Sequence, residues 1–331
     1  MNEDENRIGR IKIVMISKPA TLTLEHYTSV HHRDTYSAID ETLPQHSCKG
    51  RSVFITGAGT GIGKAVALSF ARAGASAIYI AARRKVHLEE TKSAALQIAP
   101  ECRFETFEMD VVSATQVKDV LTKAAELNGR PLDILVSNAG YVAYLARTSE
   151  CSFETIWNHF EVNVKGALLV TLEFMKHCVQ TGATIVNVSS GAAVINFADG
   201  LSAYSAAKVG MMKMLDYIYR EESDRDLRIF NIHPGVVPTA MAGAGQQNSV
   251  DTGMSTRCRL CVEVLIRVFD LAELPGSYIV WLTTPDADFL QGRFVYTNWD
   301  IDELKAKKEE IIRENLLTLT VKGMDSTDWK A

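Results

Sequence analysis

Val53-Phe54-Ile55-Thr56-Gly57-Ala58-Gly59-Thr60-Gly61-Ile62-Gly63 decides the fold of this chain. Its first four residues are an apolar, largely β-branched run, the composition of a buried strand. Glycines follow at 57, 59, 61 and 63, and then a helical pattern carries Val66, Leu68, Phe70 and Ala71 among small residues. Strand, glycine-rich turn and helix in that order form a phosphate-binding loop. Glycines let the backbone turn tightly and approach a pyrophosphate, and the helix N-terminus offers N–H groups and the positive end of its dipole to the anion. The stretch therefore predicts dinucleotide binding.

Downstream the same alternation repeats. Further strands are expected at Ala77–Ala81, Arg103–Met109, Ile134–Ser137, Thr184–Val188, Arg228–His233 and Phe294–Thr297, after a first at Ser52–Thr56. Helices are expected at Gly61–Ala73, Val86–Ala99, Ala114–Asn128, Phe153–Val179, Ala203–Glu222, Arg257–Phe269 and Pro275–Thr283. Strands separated by helix-length segments predict an α/β fold, one doubly wound domain with a seven-stranded parallel sheet and helices on both faces. We place that domain at residues 48–300. Residues 1–47 read as a polar extension in which Ile11–Ile16 could add a strand, and 301–331 as a charged helix (Asp302–Leu316) with a tail. The stretch Pro238–Ser255, rich in Gly, Ala, Gln and Ser, reads as a loop.

Composition narrows the partners. With 331 residues, 47% hydrophobic, the chain can bury a large core. A net charge of −5 without a basic stripe argues against nucleic acid or an anionic membrane. No apolar run is long enough to span a bilayer. The acidic start Met1-Asn2-Glu3-Asp4-Glu5 differs from a secretory or mitochondrial leader, so a cytoplasmic location is expected. Six cysteines are scattered, and Cys258-Arg-Leu-Cys261 lacks the second ligand pair a metal site needs.

The chemistry is carried by Tyr204-Ser-Ala-Ala-Lys208. Positions four apart on a helix share a face, so a phenol and an ammonium lie side by side. The Lys208 charge should then pull the Tyr204 pKa down toward working pH. A phenol tuned this way exchanges a proton with a carbonyl or alcohol oxygen.

These motifs, in this order, resemble the short-chain dehydrogenase/reductase family over about Ser47 to Asp300. The resemblance implies a Rossmann-type domain and assigns cofactor contacts to Gly57, Gly59, Thr60, Gly61, Ile62 and Gly63 in the glycine motif. It adds Asp110 and Val111 after the third strand, and Asn138, Ala139 and Gly140 after the fourth, where Ser137 stands in place of the commoner first Asn. It further adds Tyr204, Lys208, Pro234, Gly235, Val237 and Thr239. It implies that Tyr204 is the general acid in reduction, that Lys208 tunes it and binds the nicotinamide ribose, that Ser190 donates to the substrate carbonyl, and that Asn163 holds a water linking Lys208 to solvent. Ser190 and Tyr204 stand 14 positions apart (204 − 190), one more than in many members. Neighbours on a strand point to opposite faces, so only one of Ser189 and Ser190 can serve, and we take Ser190. The chain also departs at its end, where Asn298-Trp299-Asp300 leads into a charged helix and not the usual glycine-rich turn. Its tails look like those of fungal members, many of them associated with specialised metabolism.

Cofactor choice turns on Ala82-Arg83-Arg84. Where NAD users place an acid for the ribose 2′-hydroxyl, this chain has Ala82 followed by two guanidinium groups suited to a 2′-phosphate. NADP is expected, with NAD the alternative. The substrate wall should comprise Tyr141, Val142, Ala143, Ala192, Val194 and the loop Val236–Gly245, with Tyr144 a second candidate for stacking on a substrate ring. His159 reads as structural. Apolar stripes at Phe153, Ile156, Trp157, Phe160 and Val164, and at Met211, Met212, Leu215 and Ile218, read mainly as core, on helices that in the family often pair in a homodimer or homotetramer. The expected function is hydride transfer between NADP(H) and a small or medium-sized ketone or secondary alcohol. The alternative is a dinucleotide-binding sensor or scaffold without turnover.

Overall fold

A computed structural model describes residues 27–143, 146–196, 198–239 and 269–320. Seven parallel strands form one sheet: β1 Ser52–Thr56, β2 Ala77–Ala82, β3 Arg103–Glu108, β4 Ile134–Ser137, β5 Thr184–Val188, β6 Arg228–His233 and β7 Phe294–Tyr296. Their order is β3-β2-β1-β4-β5-β6-β7. The chain winds outward from β1 to β3, returns to β4 and winds the other way. Neighbouring connections therefore part between β1 and β4, leaving a crevice at the carboxyl ends of these strands.

The helices are α1 Gly61–Arg72, α2 Lys85–Ile98, α3 Ala114–Asn128, α4 Phe153–Phe160, α5 Ala167–His177, α6 Ser202–Glu221, α7 Glu273–Leu282, α8 Ile301–Ala306 and α9 Lys308–Arg313. Every residue of β1 is buried because both faces are covered. Val53 and Ile55 pack with Val66, Phe70, Tyr278 and Trp281, whereas Phe54 between them packs with Leu121, Phe174 and Leu215. Strand alternation thus divides one apolar run between two cores. Edge strand β3 has only one residue, Phe104, fully inside.

Three helix expectations are corrected. The segment expected as one helix from Phe153 to Val179 carries a π-helical turn at Glu161–Gly166 between α4 and α5. A π turn holds an extra residue, which a 3.6-residue apolar period does not reveal. The charged helix expected at Asp302–Leu316 is two short helices divided at Lys307, whose ammonium donates to the Tyr27 carbonyl. Phe153 and Trp157, expected in the core, are exposed and stack at 5.8 Å, although Met211, Met212, Leu215 and Ile218 are buried as expected. Ile11–Ile16 and the helix expected at Arg257–Phe269, with Cys258 and Cys261, lie outside the described residues, Phe269 excepted.

Residues 27–39 lie along the C-terminal segment. The Ser29 and Val30 N–H groups donate to the Glu303 carboxylate at 2.6 and 2.8 Å. His31 bridges to Trp299, and His32 pairs with Asp300 at 2.8 Å while stacking on Tyr36. Ile39 is fully buried.

Candidate active site

The crevice is closed at its floor by side chains that tie β1 to β4. The Thr56 hydroxyl oxygen accepts from the N–H groups of Asn138 and Ala139, each at 3.0 Å. Asn138 Nδ2 donates to the carbonyls of Thr56 (2.9 Å) and Gly57 (3.2 Å). Gly57 holds φ +67°, a left-handed conformation that favours glycine. A Cβ on Gly63 would fall against the Gly57 carbonyl oxygen, 2.5 Å from Asn138 Nδ2 and 2.9 Å from Ala58 Cα. The glycines therefore bring a bare backbone up to the crevice, the form a pyrophosphate requires.

Above this floor opens a cleft of about 410 Å³. It gathers most of the residues expected at the cofactor: Gly57, Gly59, Thr60, Gly61, Ile62, Gly63, Arg83, Arg84, Asp110, Val111, Asn138, Ala139, Gly140, Tyr204, Lys208, Pro234 and Thr239. Tyr141 and Val142 of the expected substrate wall also face it, while Tyr144 and residues 240–245 lie outside the described residues. Gly235 and Val237 are not on its surface. Gly235, at φ +85°, is pressed against Asp270, whose carboxylate accepts the Val236 N–H at 2.6 Å, and Val237 is buried.

Tyr204 enters from the first turn of α6, and Lys208 follows one turn later. Lys208 is buried, donates to the Val188 carbonyl at 2.9 Å and lies 5.8 Å from the Tyr204 ring centroid. Ser190 caps the short turn Gly191–Ala193, its Oγ accepting from the Ala192 N–H at 3.2 Å, and its side chain favours the ionised form of Tyr204. Ser189 lies on the cleft, but its buried hydroxyl meets no partner among the described residues. Ser190 itself is not among the residues lining the cleft, although it is the serine that acts on the Tyr204 hydroxyl.

The electrostatics depart from the expectation. Burial raises the Tyr204 pKa, and the Ser190 hydrogen bond opposes that rise. Burial also lowers the Lys208 pKa, from 10.5 to about 8, and its Nζ is turned to a backbone carbonyl. Between pH 8 and 10.5 the unfolded chain therefore binds more protons at this site than the folded chain, so stability contributed here rises with pH. Urea unfolding of wild type and Lys208→Met across this window should show wild type gaining relative to the variant. A constant difference refutes the assignment.

Asn163 is buried beside the cleft in the π-helical turn. Its Oδ1 accepts the Tyr141 N–H at 3.0 Å and its Nδ2 donates to the Tyr141 carbonyl at 2.8 Å, so the side chain clamps the loop after β4. His159 holds the same loop: Nδ1–H donates to the Thr155 carbonyl (2.9 Å) and Nε2 accepts the Ala143 N–H (3.1 Å). Burial lowers its pKa and keeps that acceptor free of a proton. The sequence reading missed His233 and Asp270. The only signal for His233 is its place directly before Pro234-Gly235, and Asp270 carries none.

This geometry has counterparts among known proteins. The family described as short chain dehydrogenase matches residues 51–249. The chain is 34% identical over 299 residues to the short chain dehydrogenase citE of Monascus ruber, spanning 88% of this chain and 94% of that one. The chain belongs to the short-chain dehydrogenase family. Another member, the short chain dehydrogenase andI of Emericella variicolor, is 33% identical over 311 residues, 92% of this chain and 99% of that one. Among solved structures, levodione reductase superposes with a TM-score of 0.68 at 25% identity, covering 78% of this chain and 98% of that one. The NAD⁺-bound xylitol dehydrogenase shares the fold at 21% identity, with a TM-score of 0.67 over 75% of this chain and 98% of that one. This short-chain dehydrogenase is therefore of an oxidoreductase family that uses a nicotinamide dinucleotide.

Proposed function

We propose that this short-chain dehydrogenase transfers hydride between NADP(H) and a ketone or secondary alcohol of a small or medium-sized metabolite. One observation carries the reading: a phenol and a buried ammonium line the cleft built on the glycine turn, and Ser190 acts on that phenol. The donor set fits the cofactor. The glycine backbone suits the pyrophosphate, the Ser189 hydroxyl is unsatisfied, and Lys208 has a protein carbonyl but no carboxylate as its hydrogen-bond partner among the described residues. In this reading the loop from Gly57 to Gly63 holds the phosphates, Asp110 and Val111 the adenine, Lys208 the ribose, and Asn138–Gly140 with Pro234–Thr239 the nicotinamide half. The bound nicotinamide supplies the hydride.

The chain's own residues manage the proton. As the carbonyl oxygen gains charge, Ser190 donates a hydrogen bond to it and Tyr204 delivers the proton. Lys208, with a pKa near 8, keeps a positive charge at neutral pH that stabilises the phenolate left behind. Asn163 and His159 hold the Tyr141–Ala143 wall in place during this exchange.

NADP is favoured because Arg83 and Arg84 stand exposed at the cleft edge after β2 and form no ion pair among the described residues. Losing charge-assisted bonds at about 1.5–3 kcal/mol, Arg83→Ala/Arg84→Ala should weaken NADPH binding roughly 10- to 100-fold and leave NADH within about twofold. Equal losses for both cofactors defeat the assignment. The reading includes a cytoplasmic homo-oligomer acting in specialised metabolism. The exposed Phe153–Trp157 stack supports self-association, and light scattering giving a monomer mass would remove that part. The direct test of the whole is NADPH oxidation with a carbonyl panel. Tight NADPH binding without turnover would favour the sensor.

A further inference from the structure

Ser190 does not hold itself in place. Its Oγ accepts the Ala192 N–H and its carbonyl accepts the Ala193 N–H, both inside its own turn. The contact that anchors this turn to the sheet is the Gly191 N–H, which donates to Nδ1 of His233 at 3.0 Å. His233 ends β6, is buried, and presents its ring edge-on to Tyr296 of β7 at 4.7 Å. Tyr296 in turn stacks face to face on Trp299 at 4.8 Å, with planes 7° apart. The column also abuts the serine turn, since a Cβ on Gly191 would meet the Tyr296 hydroxyl at 3.1 Å. Burial lowers the His233 pKa to about 4, so at neutral pH the ring is uncharged and Nδ1 is an acceptor.

We propose that His233 is a positioning residue that aims the Ser190 hydroxyl by accepting the Gly191 N–H, and that the Tyr296–Trp299 stack holds His233 in that pose. The proposal rests on the reading of Ser190 as the donor to the substrate oxygen. It also accounts for Asn298-Trp299-Asp300, the departure at the end of the sheet, because Trp299 closes the column that ends at the active-site serine.

His233→Leu fills the space without an acceptor, and His233→Asn restores one near Nδ1. Hydrogen exchange on peptides covering 186–194 should speed at least about fivefold in the Leu variant and return toward wild type in the Asn variant, because an amide stripped of its partner opens more often. With a carbonyl substrate, kcat should fall roughly 10- to 100-fold for Leu and recover to within about threefold for Asn, as expected for one buried hydrogen bond, while KM for NADPH stays within about twofold. Unchanged exchange and kcat in the Leu variant, or an Asn variant no better than Leu, overturns the proposal. Should the Leu variant fail to fold, Tyr296→Leu, which removes the ring holding His233, is read the same way. A wild-type chain that turns over no carbonyl overturns the functional reading instead, and the exchange comparison still decides for or against His233.

Discussion

Tyr204→Phe should lose roughly 10²- to 10⁴-fold in kcat for carbonyl reduction, the span associated with removing a general acid, while NADPH affinity stays within about threefold. Only the hydroxyl is deleted, and the ring keeps its place against His159 at 6.5 Å. The split between kcat and affinity follows from where the oxygen sits. It belongs to α6 and is acted on by Ser190, whereas the backbone suited to phosphate belongs to the Gly57–Gly63 turn. Stopped-flow turnover with fluorescence titration of NADPH measures both. Turnover within about tenfold of wild type would mean that another group supplies the proton.

Gly63→Ala should damage cofactor binding far more than a single methyl ordinarily does. The added Cβ meets the Gly57 carbonyl, Asn138 Nδ2 at 2.5 Å and Ala58 Cα at 2.9 Å. Two of these three atoms are backbone, so the turn itself must move. Overpacking of this kind costs roughly 1–3 kcal/mol in stability. The larger effect falls on the cofactor, because the same displacement breaks the Asn138–Gly57 tie and shifts the N–H groups aimed at phosphate. NADPH binding should weaken by about 100-fold or more, taking a loss of about 3 kcal/mol across the displaced N–H contacts. Gly74→Ala is the control: it holds a positive φ, +74°, so alanine is strained there, but it has no atom within 4 Å of the added Cβ. It should lower the melting temperature and leave NADPH binding unchanged. Equal loss of binding in both variants would assign the effect to general destabilisation.

The local part of the site is legible in the sequence. The Val53–Gly63 stretch names its own strand, turn and helix, because apolar period and glycine freedom act over a few residues. Tyr204 and Lys208 share a helix face by spacing alone. The doubly wound sheet follows from the repeated alternation, since parallel neighbours need a crossover between them. The helix breaks are not legible: the π turn at Glu161–Gly166 and the stop at Lys307 are set by what each segment packs on, such as Val111 against Gly166 and Tyr27 against Lys307. The clamp that the Asn163 amide places on the Tyr141 backbone, 22 positions away, is likewise absent from any local pattern.

By itself the sequence determined the order of strands along the chain, the bare backbone of the phosphate turn and the side-by-side phenol and ammonium, all products of short-range geometry. Tertiary structure alone decided that Tyr204 is pushed up and not down, that Lys208 falls to about 8, and that His233 reaches the turn holding Ser190. Desolvation is a sum over everything packed around a group, and a contact 42 residues apart depends on how two strands register. Neither quantity is written in any short stretch of the chain.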